Sequence, residues 1–135
     1  MACTDKKTYQ SSEAPAAIGP YSIAAGGGPF VFSAGQIAID PATGNLVPGG
    51  IEEQTRQVFA NLTAVLKSAS SCLEQVVKTT VFLRDMKDFP AMNTVYGGYF
   101  ASNPPARTTV AVTGLPKDAL IEIEVVALLC KDDEC

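Results

Sequence analysis

NPPARTTVAVTGLPKDALIEIEVVALL, residues 103–129, carries two runs of strand-like alternation joined by the short link of residues 114–118. Pro104 and Pro105 stop whatever precedes them, because a residue before proline is kept out of the helical region. In the first run Thr108, Val110 and Val112 share one face, and Arg107, Thr109, Ala111 and Thr113 share the other. In the second run Ile121, Ile123 and Val125 face one way, and Glu122, Glu124 and Val126 face the other. If the runs pair as a hairpin, matching valines to isoleucines selects the register. Arg107, Thr109, Glu122 and Glu124 then meet on the face away from the helices, a grouping that one bulge would reverse. An arginine among glutamates in a sheet is ordinarily an ion pair, here Arg107 with Glu124. Against that, both glutamates stand inside an apolar run, where charge is costly unless paired or useful.

Working outward, residues 88–102 (DFPAMNTVYGGYFAS) read as a helix with Pro90 near its first turn, weakened by Gly97 and Gly98. Residues 75–85 (QVVKTTVFLRD) are rich in β-branched residues and read as a strand. The strongest helix spans residues 51–70, where Ile51, Val58, Phe59, Leu62, Val65, Leu66 and Ala69 recur at three- and four-residue steps. Glu52 and Glu53 stand at its positive end. Before it, two strands near residues 18–25 and 30–39 flank the turn at Gly26–Gly28. Those glycines lead into a strand pattern, not a helix, so they do not form a dinucleotide-binding loop. The order β-β-α-β-α-β-β predicts an α+β fold with a single mixed sheet and two helices on one face. The other face then lacks a cover, and self-association is the economical way to supply one.

The whole chain, residues 1–135, reads as a single domain with a core of about residues 14–129 and short flexible termini, including the acidic end KDDEC. A net charge of −4 with no basic run argues against nucleic acid as a partner. No apolar run approaches the ~20 residues of a membrane-spanning helix, so no membrane partner is expected. The N-terminus has no signal-like apolar region, which makes the cytoplasm the expected location; an organellar form cut from a longer precursor stays open. Cys3, Cys72, Cys130 and Cys135 form no C-x-x-C pair and read as free thiols, Cys72 as a packed or loop thiol. No histidine is present, which removes the commonest metal ligand and general base; no metal and no cofactor are expected.

Six pieces now stand in order: APAAIGPY (residues 14–21), AGQIAIDPATG (34–44), VVKTTVFLRDM (76–86), DFPAMNTVY (88–96), NPPAR (103–107) and LPKDALIEIEVVA (115–127). Together they resemble the RidA/YjgF family of imine deaminases from about Ala14 to Leu129. The resemblance implies a chorismate-mutase-like fold, a homotrimer with sites in intersubunit clefts, and hydrolysis of 2-imino acids such as 2-iminobutanoate and 2-iminopropanoate to 2-keto acids and ammonia. Residue by residue, it implies that Arg107 grips the substrate carboxylate and that Glu122 holds the attacking water. It further implies that Tyr21 lines the pocket, that Asn93 belongs to the site, and that the backbone of Gly35 faces the ligand. Ala34 replaces a frequent serine and Thr109 a frequent cysteine, so neither position offers a nucleophile, although the backbone of Thr109 can still contribute. Strand alternation turns Ser33 away from the place of the missing serine. The competing reading is a non-catalytic trimer that binds a small carboxylate as a regulator. A protein that holds unfolded chains is a third.

Overall fold

The structure, a computed structural model, describes residues 5–131 and residue 135. Cys3 and the acidic residues 132–134 lie outside the described residues. The strands are β1 (Lys7–Tyr9), β2 (Ala24–Gly27), β3 (Phe30–Ser33), β4 (Val76–Leu83), β5 (Ala106–Ala111) and β6 (Ile121–Leu128); the helices are α1 (Ile51–Ser68) and α2 (Phe89–Tyr99). They build one mixed sheet in the order β1-β2-β3-β6-β4-β5, with β4 and β5 parallel and the other pairs antiparallel.

α1 follows from its periodicity. Val58, Phe59, Leu62, Val65 and Leu66 are fully buried against the sheet. The backbone N–H of Gly50 donates to Glu53 Oε1 at 2.9 Å, which satisfies one of the unpaired donors at the helix start. α2 packs on the same side. Phe59 of α1 meets the rings of Tyr96, Tyr99 and Phe100 at 5.7, 4.2 and 5.6 Å between centroids. Gly97 and Gly98 lie within α2 without breaking it, because the aromatic residues around them anchor the helix.

Four expectations are corrected. β5 and β6 do not form a hairpin: β4 lies between them, because α2 carries the chain back as a crossover and lays β5 parallel to β4. The strand expected over 30–39 ends at Ser33, because Asn61 Nδ2 on α1 donates to the carbonyls of Ile37 at 3.1 Å and Ile39 at 2.9 Å and holds the segment to the helix. Likewise only Ala24 and Ala25 of the region near 18–25 pair in the sheet; β2 continues through Gly26 and Gly27, expected in the turn, to a two-residue turn whose Gly28 has φ of 57°. Cys130 and Cys135 are joined as a disulfide instead of being free, while Cys72 remains a thiol. β1 was hidden in the sequence, because an edge strand of Lys7, Thr8 and Tyr9 has too few apolar residues to show alternation.

The sheet face away from the helices is open. Phe30, Phe32 and Val110 are all more than a third exposed there. No helix of the described residues is long and apolar enough to cross a membrane.

Candidate active site

Register places the two charged residues of the site. On β5, Arg107 lies beside Thr79 and Thr109 beside Val81; on β6, Glu122 lies beside Phe82 and Glu124 beside Thr80. Thr79 and Val81 are fully buried beneath the helices. Arg107 and Thr109 therefore stand on the helix-covered face, and Glu122 and Glu124 on the open face. The grouping of all four on one face is overturned. The intervening strand removes the hairpin on which that grouping rested.

The arginine half is built on β5 and α2. Phe89, Asn93 and Tyr96 recur at four and three residues and so share one side of α2. Arg107 Nη1 donates to Asn93 Oδ1 at 2.8 Å, and its guanidinium carbon lies 4.6 Å from the ring centroid of Tyr96 and 5.5 Å from that of Phe89. Tyr96 is buried, and its hydroxyl shares a 2.7 Å hydrogen bond with Thr79 Oγ1. Burial raises the Tyr96 pKa, against the opposing pull of the Thr79 bond and the Arg107 charge, so the phenol stays neutral. Thr109 Oγ1 is buried on the same face without a hydrogen-bond partner among the described residues. Among the described residues no carboxylate reaches Arg107, so the ion pair with Glu124 does not form. The fork is held in place with donors to spare.

The glutamate half forms on the other side. Ile18, Tyr21, Ile23, Ala34, Gly35 and Glu122 line a cavity of about 400 Å³. The backbone pair between Gln36 and Ile123, at 2.9 and 3.1 Å, brings Gly35 against β6. A Cβ at Gly35 would overlap Glu122 Oε1 and would stand 2.7 Å from its Cδ and 2.9 Å from its Cγ. Only glycine leaves that space for the carboxylate. Burial, and second the charge of Glu124, push the Glu122 pKa above the ordinary carboxylate value. Tyr21 is 50% exposed, with its hydroxyl accepting the Ile18 N–H at 3.3 Å. Ser33 does not replace the hydroxyl absent at Ala34, since its Oγ accepts the Val125 N–H at 2.9 Å.

The sequence-expected residues thus assemble into two halves. Arg107, Asn93 and Thr109 form one, and Tyr21, Ala34, Gly35 and Glu122 form the other. In one chain, β4 and the sheet itself stand between them: two inter-strand steps are about 10 Å. Sequence reasoning missed Phe89, Tyr96 and Ile18. The helical spacing of Phe89, Asn93 and Tyr96 was the available signal for the first two; Ile18 had none.

A family model described as Endoribonuclease L-PSP matches residues 11–129. A RutC family protein of Pyrococcus horikoshii is 52% identical over 122 residues, covering 90% of this chain and 97% of that protein. The 2-iminobutanoate/2-iminopropanoate deaminase of Mus musculus is 42% identical over 128 residues, covering 95% of each. The crystal structure of E. coli TdcF with bound serine superposes with a TM-score of 0.87 at 36% identity, over 92% of this chain and 99% of that one.

Proposed function

The chain belongs to the RidA/YjgF family, and from that premise we propose that it hydrolyses small 2-imino acids to 2-keto acids and ammonia. The observation that carries the reading is the Arg107 guanidinium, braced by Asn93 and two aromatic rings and met by no carboxylate among the described residues. A planar fork of this kind binds a carboxylate through two parallel hydrogen bonds, which a lysine does not reproduce. A bound amino acid in a family structure, the serine of E. coli TdcF, is in keeping with such a ligand.

Glu122 supplies the chemistry. With the substrate carboxylate held, the imine carbon stands at a fixed place and is already electrophilic once its nitrogen is protonated. Glu122 orients a water and takes one of its protons as the oxygen adds to that carbon. It returns the proton to nitrogen; as the C–N bond breaks and ammonia leaves, Glu122 takes the hydroxyl proton, the C=O bond forms, and the carboxyl releases that proton to ammonia or solvent. A raised pKa suits a group that must both accept and return a proton. Neither Ala34 nor Thr109 has a nucleophilic part to play.

Arg107 and Glu122 lie on opposite faces of one sheet, so in this reading one copy brings the arginine half against the glutamate half of its neighbour. A homotrimer does this three times with one kind of contact, and the exposed Phe30, Phe32 and Val110 offer the apolar surface for it. Ribonuclease action, which the name of the matching model suggests, finds little support in a chain of charge −4 without histidine.

A coupled assay tests the reading. A threonine dehydratase generates 2-iminobutanoate, and 2-ketobutyrate formation is followed with the wild type, Arg107→Ala and Glu122→Gln. The wild type should accelerate hydrolysis, and each variant should lose at least about 100-fold while staying folded. A spontaneous rate with wild type, together with retained binding of 2-ketobutyrate, would favour the regulatory carboxylate-binding trimer instead.

A further inference from the structure

Three of the four cysteines meet at the far end of β6 from Glu122. Beyond Ser68, Ser70 takes φ of 55° and turns the chain back. Ser71 Oγ then donates to the Leu128 carbonyl at 2.7 Å, and the Cys130 N–H donates to the Ser70 carbonyl at 2.9 Å. These two bonds fasten the loop carrying Cys72 to the strand end carrying Cys130. Cys135 returns to bond with Cys130. The sulfurs of Cys72, Cys130 and Cys135 all lie within 4.8 Å of one another. Chain spacing gave no sign of this, because the grouping exists only in the folded chain.

We propose that Cys72, Cys130 and Cys135 form a thiolate site for a soft, thiophilic cation, opened when a thiol reductant cleaves the Cys130–Cys135 bond. Opening is balanced by the reductant. A dithiol gives up two electrons and two protons and becomes a disulfide; the Cys130–Cys135 bond breaks to two thiols. The cation then displaces the three thiol protons and binds three sulfurs. Thiolates select soft ions such as Zn²⁺ and Cu⁺ over Mg²⁺ or Ca²⁺. A centre with metal–sulfur distances of about 2.3 Å holds its sulfurs roughly 3.8 Å apart, so side-chain rotation suffices to close the observed cluster. Cys130 and Cys135 line a surface cleft with Lys67, Ser70 and Ser71, so the sulfurs are reached from solvent.

The test uses the full chain, reduced with a phosphine and kept free of oxygen. Co²⁺ is the probe, because thiolate ligation gives an intense near-ultraviolet charge-transfer band; Zn²⁺ is then added to displace it. One Co²⁺ per chain should bind, and Zn²⁺ should abolish the band. Cys72→Ser and Cys135→Ser should each weaken binding by more than the about 100-fold that a supporting residue costs. Cys3→Ser should bind normally, and the oxidised chain should give no band. If Cys72→Ser does not fold, Cys135→Ser decides, since Cys135 is exposed. No band in the reduced wild type, a band that survives Cys135→Ser, or a band lost in Cys3→Ser overturns the proposal.

Discussion

Glu122 is held in a state that costs the fold something and, in the proposed reaction, serves the chemistry. Its pKa is raised in the folded chain, chiefly by burial, so the folded state keeps a proton that the unfolded chain has already released. Stability therefore falls as pH rises from the ordinary carboxylate range through the raised value, and above it the penalty is complete. Glu122→Gln removes the ionisable group. It should raise Tm at neutral pH by roughly 1–4 °C, a gain limited by solvent access to a half-buried carboxylate, and the gain should vanish near pH 4. Thermal melts of both proteins across pH check this; an unchanged or lower Tm for the variant at neutral pH would contradict it. The catalytic rate should rise with pH through the same raised value, because the water-orienting form is ionised. Gly35 is the second sensitive residue. Gly35→Ala puts a methyl where the Glu122 carboxylate lies, and the deaminase rate should fall at least about tenfold with little loss of secondary structure. A variant of wild-type rate would mean that the carboxylate works from another position.

Among the elements, α1 is the one the sequence displayed most fully, since the 3.6-residue recurrence of Val58, Phe59, Leu62, Val65 and Leu66 is the buried face itself. What periodicity could not show is Asn61, a buried polar residue on that same face. Its amide holds the Ile37 and Ile39 carbonyls, bends the chain away after Ser33, and so allows Ala34 and Gly35 to turn toward Glu122. Asn61→Ala removes the side-chain donor to the part-buried Ile39 carbonyl, whereas the Ile37 carbonyl keeps the Ile39 N–H at 2.8 Å. It should cost about 1–3 kcal/mol in urea unfolding and lower activity as the loop loosens. A cost within 0.5 kcal/mol, the rough scale of a surface change, would show that water replaces the amide. Short motifs in the sequence name the candidate site residues, but not their arrangement. Alternation along β5 and β6 correctly sorted each strand into two faces. It could not reveal that β4 enters between them, because strand order depends on the crossover through α2.

At the scale of the whole molecule, the proposed function requires two half-sites on opposite faces to meet. One face carries an arginine fork braced by α2, and the opposite face carries a carboxylate in an apolar cavity and, farther along β6, Phe32, which is 49% exposed. An apolar sheet face of this kind is rarely left to water. The proposed trimer would cover it and complete three sites in the same contact. Subunit complementation tests that claim most directly. Arg107→Ala and Glu122→Gln chains, differently tagged, are co-expressed, and assemblies carrying both tags are purified. Each parent alone is expected to be inactive. In a ring of three that mixes two kinds of chain, one cleft joins an intact arginine to an intact glutamate, so mixed assemblies should recover about one third of wild-type 2-iminobutanoate hydrolysis. Mixed assemblies that stay as inactive as their parents would place Arg107 and Glu122 of a single chain at one site, and would contradict the account.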